Sequence, residues 1–339
     1  MLVLIFFIRL VLVAGFDHED CRRHNHETWM CDYMHNQNRA YDHKTEFLLR
    51  KSKVAESRRT IDEMGSGVFG LTSMSDRFRL QTNVALQLSH HKAVTRKNDH
   101  RPMPLKSSGT GPVDWRSYGY VSPVLDQGDC GDCFAFASAT VLEYWLARDT
   151  GQLTQLSPQS LMDCTSGWGR PDVGCDGGLM EYVFEYAKSH PVVPLSDAPY
   201  LERQTHCPSR PLQTRLRVND YRVLMREEDP SAEDQIPALL HRYGPVAVGI
   251  DSSSLHNYNN GVFQASHCTV DIDHAVTIVG YTDDAWIIKN SWGPDWGRDN
   301  GYLYLERGKN ACGVAEYIVY VTDATPENSL LGTDWFYDI

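Results

Sequence analysis

Gln127-Gly-Asp-Cys-Gly-Asp-Cys-Phe-Ala-Phe136 is the stretch from which the rest of this 339-residue chain can be read. Two cysteines three residues apart stand directly before Ala137-Ser-Ala-Thr-Val-Leu-Glu-Tyr-Trp-Leu-Ala147, a run that can form a helix. Cys133 is thereby placed near a helix N-terminus, where unpaired backbone N–H groups and the macrodipole favour negative charge. A thiol there loses its proton more easily, and the thiolate is the nucleophile. Such a thiol needs a base. Far downstream stand Asp273-His-Ala-Val276 and Lys289-Asn-Ser-Trp-Gly293, with His274 lying 141 residues after Cys133 and Asn290 lying 157 after it. An imidazole can take the thiol proton, and an amide carbonyl can hold the second ring nitrogen in the useful tautomer.

Cysteine first, then histidine and asparagine at about that separation, is the papain and cathepsin order. The chain resembles the papain-like cysteine peptidases, on their cathepsin L side, from about Val113 to Tyr320. Pro112-Val-Asp-Trp115, Gly174-Cys-Asp-Gly-Gly-Leu-Met180 and Asn290-Ser-Trp-Gly-Pro-Asp-Trp-Gly297 carry the resemblance as well. It implies an α+β, papain-like two-lobed fold, with a helical left lobe and a β-barrel-like right lobe, preceded by a helical propeptide. Cys133 would come from one wall of the cleft, His274 and Asn290 from the other. It also implies amide hydrolysis: Cys133 attacks the carbonyl, His274 moves the proton, and Asn290 orients the imidazole. The Gln127 side chain and the Cys133 backbone N–H would make the oxyanion hole, and Trp292 would shield the His274–Asn290 contact and line the leaving-group side. Gly177 and Gly178 would bind substrate backbone. Met180, Gly249, Ile272, Ala275 and Tyr317 would line the pocket for the second residue before the cut, with a preference for modest apolar side chains. No occluding insertion with paired histidines appears between Cys164 and Cys207, which favours endopeptidase action. The resemblance calls for no metal and no cofactor. The partners it implies are protein or peptide substrates, the chain's own propeptide as inhibitor and cystatin-type inhibitors, with the protein a monomer.

Nine cysteines suit an oxidising compartment. The resemblance implies the pairs Cys130–Cys175, Cys164–Cys207 and Cys268–Cys312, with Cys133 left free. Spacing alone leaves fifteen connectivities open for six cysteines. Cys21 and Cys31 either pair or stay as free thiols in a discarded segment; with His24, His26 and His35 nearby their spacing fits no common zinc pattern.

Residues 1–15 are apolar except for Arg9 and read as a secretory signal, too short to span a bilayer. The expected location is the secretory pathway, ending in a lysosome or outside the cell. No later apolar run is long enough for a membrane span. Without an Asn-X-Ser/Thr sequon, N-linked sugar cannot direct sorting. Residues 16–110 read as the inhibitory propeptide. Glu46, Arg50, Val54, Ser57, Ile61 and Gly65 match the spacing of the family's prosegment helix, and Gly70 and Asp76 that of a second motif. Polar residues with Pro102, Pro104, Gly109 and Gly111 make an exposed linker, so the mature N-terminus should lie near residues 106–112. Residues 111–320 form the peptidase domain. Its first half reads as helices from Cys133 to Thr150, after Ser157-Pro158, and from about Leu179 to Ser189. Its second half alternates and reads as strands at 246–250, 274–281, 285–290 and 301–306. Residues 321–339 read as an acidic tail, either loose or docked through Trp335, Phe336 and Tyr337.

Net charge is −12: residues 16–110 carry +4 and residues 111–339 carry −17, with Arg9 the remainder. So acidic a domain is a poor nucleic-acid binder, and its basic leader fits an intramolecular complex that loosens as carboxylates protonate. Three positions depart from the family pattern near the nucleophile. Phe134 replaces a tryptophan and loses its indole N–H. Asp129 and Asp132 stand where small polar residues are usual, and a carboxylate beside a thiolate disfavours it. If Asp132 points at the sulfur, activity falls or shifts in pH; if it points to solvent, little changes. Two other readings compete with the enzyme: a non-catalytic or weakly active papain-fold binding or storage protein, and a metal-binding module on Cys21, Cys31 and nearby histidines.

Overall fold

The computed structural model describes residues 18–23, 27–37, 39, 41, 44–64, 67–72, 74–75, 111–166, 174–207 and 216–326. The expected signal, the linker as far as residue 110, Gly65, Asp76 and the aromatic end of the tail lie outside these residues.

Three N-terminal helices come first: α1 (His18–Arg23), α2 (Thr28–Asn36) and α3 (Lys44–Met64). They close over a small core of Cys21, Met30, Cys31, Tyr33, Met34, Tyr41, Phe47 and Val54. Cys21 and Cys31 are joined by a disulfide, so neither offers a thiolate to a metal, and the metal-module reading fails on those two sulfurs. On α3 Glu46 pairs with Arg50 one turn on, and Ser57 donates to the Ser75 carbonyl at 3.1 Å. Ile61, Phe69 and Met74 leave this small core and join the main one.

The main body starts with β1 (Val113–Asp114) and a 3-10 turn at Trp115–Tyr118, followed by α4 (Cys133–Thr150), α5 (Pro158–Ser166) and α6 (Met180–Tyr186). Helix α4 is buried continuously from Cys133 to Ala147. Small residues such as Ala135, Ala137 and Ala139 allow neighbours to close on it from all round. It stops at Gly151, whose φ of 70° is left-handed and suits a residue without a Cβ. Ser157 accepts a hydrogen bond from the Ser160 N–H at 3.0 Å at the start of α5, and Pro158 is that helix's first residue.

The sheet has the order β2-β7-β3-β4-β5-β6, with β2 Leu216–Met225, β3 Val246–Ile250, β4 His274–Tyr281, β5 Ala285–Lys289, β6 Tyr302–Glu306 and β7 Tyr317–Pro326; β1 pairs with the far end of β4. Among the described residues, the ladders between these strands are all antiparallel. Helix and sheet meet where Thr277 donates to the Ala137 carbonyl at 3.0 Å.

Four expectations need correction. The second half is not all strand: α7 (Ala232–Tyr243) lies between β2 and β3 despite Pro237 inside it. Its apolar face, Ile236, Leu239 and Leu240, packs into the core, which outweighs the proline. Strands β3, β4 and β5 do not alternate in burial; every residue in them is buried, because both faces are covered. The acidic tail does not begin at residue 321, since β7 runs to Pro326 in register with Leu216. Finally, α6 ends at Tyr186, before the expected Ser189.

Candidate active site

Cys133 is the first residue of α4 and the one free cysteine among the described residues. Its Sγ accepts a hydrogen bond from the Ala275 backbone N–H at 3.4 Å, which brings helix α4 against the start of β4. His274 opens that strand, held in register opposite Ile250. Its Nε2 lies 2.8 Å from Asn290 Oδ1. That oxygen also accepts the Ser291 N–H at 2.9 Å, which fixes the amide orientation. A carbonyl oxygen only accepts, so the neutral imidazole carries its proton on Nε2 and leaves Nδ1 as the basic nitrogen. Trp292 stacks on the His274 ring with centroids 5.0 Å apart and is fully buried. His256, which no motif in the sequence marks, also stacks on Trp292, at 5.2 Å.

Gln127 is placed by the β-lobe. The 125–127 segment pairs with 291–293 through an Asp126–Trp292 bridge, and the Gln127 N–H donates to the Ser291 carbonyl at 2.8 Å. Its side chain is pinned at both ends: Oε1 accepts the Ser291 hydroxyl at 2.5 Å, and Nε2 donates to the Cys130 carbonyl at 2.8 Å. Ser291, overlooked in the sequence, is thus the residue that aims the Gln127 amide. A primary amide has two N–H groups, so one remains for another acceptor.

Burial dominates the electrostatics. It pushes the Cys133 thiol up to about 12, with the Ala275 N–H opposing it and the carboxylates of Asp132 and Asp273, once ionised, adding to it. It pulls His274 down to about 4, against the support of Asn290. In this state each group is neutral, since either charge alone would be buried without a counter-charge.

Asp132 takes neither orientation anticipated from sequence. It is fully buried, with Oδ1 3.0 Å from the Tyr200 hydroxyl and Oδ2 without a hydrogen-bond partner. Asp129 differs: its N–H donates to Glu202 Oε1 in an exposed loop. Phe134 is fully buried, so its ring packs where the missing indole N–H would have needed an acceptor.

Gly177 adopts a φ of 108°, a backbone that side chains other than glycine's rarely allow, and Gly178 follows it. Gly249 and Ala275 are register partners on β3 and β4. Tyr317, at the start of β7, hydrogen-bonds through its hydroxyl to Glu181, the residue after Met180 on α6; Tyr317 and Met180 are both fully buried. Ile272 is nearly buried and lies under Gly313, where a Cβ would come within 2.8 Å of it. Besides Cys21–Cys31, disulfides join Cys130–Cys175, Cys164–Cys207 and Cys268–Cys312. The Cys130–Cys175 bridge ties the segment before the nucleophile to the glycine loop, and the Gly131 N–H reinforces it by donating to the Cys175 carbonyl at 2.8 Å.

Residues 110–322 match the family model described as papain family cysteine protease. Cathepsin 7 of Mus musculus is 36% identical over 265 residues, covering 74% of this chain and 75% of the relative. Cathepsin K of Gallus gallus is 41% identical over 212 residues, covering 60% of this chain and 61% of the relative. Among solved structures, the digestive procathepsin L 3 of Tenebrio molitor larval midgut superposes with a TM-score of 0.69 at 31% identity, covering 87% of this chain and 98% of that one. The proform of the Amb a 11 cysteine protease, a ragweed pollen allergen, gives 0.66 at 29% identity over 82% of this chain and 88% of that one. With a thiol at the head of its central helix, an asparagine-bound histidine on the facing strand and a family match across most of its length, the chain belongs to the papain family of cysteine proteases.

Proposed function

We propose that the chain is the latent zymogen of a cysteine endopeptidase, with Cys133 as nucleophile, His274 as general base and acid, and Asn290 as the group that orients the imidazole. The observation that carries this reading is the free Cys133 thiol at a helix N-terminus, touching the strand whose first residue is a histidine in the tautomer with Nδ1 basic. Transfer of the thiol proton to Nδ1 creates thiolate and imidazolium together, so that each offsets the burial of the other. The thiolate attacks the scissile carbonyl carbon. The resulting oxyanion accepts from the Cys133 N–H and from the second N–H of Gln127, and the imidazolium returns its proton to the leaving amine. Water then releases the acyl group by the same route in reverse. Trp292 keeps solvent from the His274–Asn290 bond. Gly177, Gly178, Met180, Gly249, Ile272, Ala275 and Tyr317 make the substrate side of the cleft.

Latency follows from the N-terminal helices acting as an inhibitory propeptide, as in the proform relatives. Residues 67–75 lie along 256–260: Phe69 bridges to Tyr258, the Gly70 N–H donates to the Asn257 carbonyl at 2.9 Å, and the Thr72 hydroxyl donates to the His256 carbonyl at 2.7 Å. Four disulfides fit a chain made in the secretory pathway, bound for a lysosome or the exterior. The deciding experiment is to acidify the full chain under mild reduction. Cleavage near residues 106–112, with labelling of Cys133 by an epoxide inhibitor and loss of both in Cys133→Ala, is expected. A chain that stays whole and unlabelled is instead a non-catalytic papain-fold binding protein.

A further inference from the structure

The buried carboxyl beside the nucleophile raises a question of proton counting. The Tyr200 hydroxyl lies 2.8 Å from the Gln127 carbonyl oxygen and 3.0 Å from Asp132 Oδ1. A phenol has one proton, and a backbone carbonyl only accepts. If Asp132 were ionised, one of these two contacts would set lone pair against lone pair. Its second oxygen, Oδ2, would also be a buried anionic acceptor with no partner, a state that proteins avoid. Both contacts are satisfied at once only if the carboxyl holds a proton and donates it to the Tyr200 oxygen, while Tyr200 donates to Gln127. Asp132 occupies the position before α4 but makes no capping bond with its side chain, so the group is not there to cap the helix.

We infer that Asp132 is a neutral carboxylic acid and a positioning residue of the reaction. The chain Asp132–Tyr200–Gln127 joins the start of the nucleophile's helix to the oxyanion donor, and loss of its proton sets the alkaline limit of activity. The inference rests on the endopeptidase reading for its kinetic consequence, but not for the protonation state itself.

The surroundings agree. Desolvation pushes the Asp132 carboxyl up to about 8, outweighing the Tyr200 hydrogen bond and the pull of its own backbone N–H dipole, and the negative charges of Asp163 and Glu202 add to the rise. The groups facing it are Cys133 on α4, Asp163 on α5, and Tyr200 and Glu202 on the loop after α6, with Asp126 acting on Tyr200 from the segment before the nucleophile. Asp163 is occupied by Gln159 and by the N–H and hydroxyl of Thr205, and Glu202 by the Asp129 N–H. All of these groups are acids, a thiol or a phenol. When the Asp132 proton leaves for solvent, a negative charge appears one residue from the sulfur and opposes the thiolate. Tyr200 then serves the carboxylate, and the Gln127 carbonyl loses its donor.

Two readouts test this, one on the full chain and one on the activated enzyme. Infrared difference spectra of the Cys133→Ala zymogen, with and without Asp132→Asn, should show a protonated-carboxyl band at about pH 6 that belongs to Asp132 and fades with rising pH. In the activated enzyme, the ratio of kcat/KM for Asp132→Asn over the parent should rise by about tenfold or more from about pH 6 to about pH 9, because one unit of thiol pKa is tenfold in thiolate. Asp132→Ser serves if Asp132→Asn does not fold. Absence of the Asp132 band at about pH 6, or coincident kinetic profiles, overturns the inference. If the chain proves inactive, the endopeptidase reading falls, and the infrared arm alone decides the protonation of Asp132.

Discussion

At the scale of single residues, the site works through groups that hold other groups. Asn290 accepts from His274 and from the Ser291 N–H, and Ser291 in turn donates its hydroxyl to Gln127. On the proposed mechanism, removing the Gln127 amide removes one oxyanion donor. Gln127→Ala is expected to lower kcat by about 10²–10³ with little change in KM. Ser291→Ala removes only the bond that aims the amide, worth about 1 kcal/mol, so the same assay should show a loss of roughly fivefold. Equal losses in the two variants would mean that Ser291 does more than aim Gln127. Much of this was legible beforehand: Cys133, His274, Asn290 and Gln127 stand in motifs. Ser291 stands inside the Asn290–Gly297 motif but nothing there marks its partner, while His256 and Tyr200 stand in no motif, because a lone histidine or tyrosine has no local signature of the ring or carbonyl it will meet.

At the scale of elements, helix α4 and strand β5 are joined by a buried polar group as well as by apolar packing. Lys289 donates to the Ser122 hydroxyl at 2.8 Å, Ser122 donates to Glu143 Oε2 at 2.6 Å, and Glu143 Oε1 accepts the Leu156 N–H at 2.8 Å. Desolvation lowers the Lys289 pKa and raises that of Glu143, while each charge partly restores the other. Deleting one partner strands the other. Lys289→Met should cost about 3–5 kcal/mol in denaturant unfolding, and adding Glu143→Leu should recover most of it. A Lys289→Met protein as stable as its parent would show that the pair contributes nothing across the helix–sheet boundary. Sequence patterning located α4 and β5 but not this link, since Glu143 and Lys289 are 146 positions apart and only the fold brings them together. Helix α7 was missed for the converse reason: Pro237 argues against a helix locally, and the burial that overrides it is tertiary.

At the scale of the whole molecule, the N-terminal helices and the main body share a core through Phe69, which is nearly fully buried and packs edge-on against Phe263 and His267 at 5.7 and 5.3 Å. Truncating a buried phenylalanine typically costs about 3–5 kcal/mol. Phe69→Ala should therefore make the zymogen convert faster, and at a higher pH, when activation is followed on gels; unchanged conversion would exclude this contact from latency. Stability should also depend on pH from both sides. His274 is held at about 4 in the fold against an ordinary 6.5, so between these values the unfolded chain binds a proton that the folded chain refuses, and stability falls as pH drops from 6.5 to 4. Asp132 is held at about 8 against 3.8, so the folded chain keeps a proton that the unfolded chain releases, and stability falls as pH rises from 3.8 to 8. Thermal melts of the Cys133→Ala zymogen should show the alkaline decline flattened by Asp132→Asn and the acid decline flattened by His274→Gln. Melts parallel to the parent would assign the slopes to other groups.

The amino-acid sequence by itself determined the family, the α+β class, the central helix with its cysteine, and the residues that could supply a base and an orienting amide. All of these are written in short motifs or in runs whose composition sets local structure. The tertiary structure decided which tautomer His274 holds, that Ser291 aims Gln127, and that Asp132 turns inward to Tyr200. Those outcomes depend on how many donors and acceptors share a dry space. Residues such as Asp132 and Tyr200, 68 positions apart, have no common space until the chain folds.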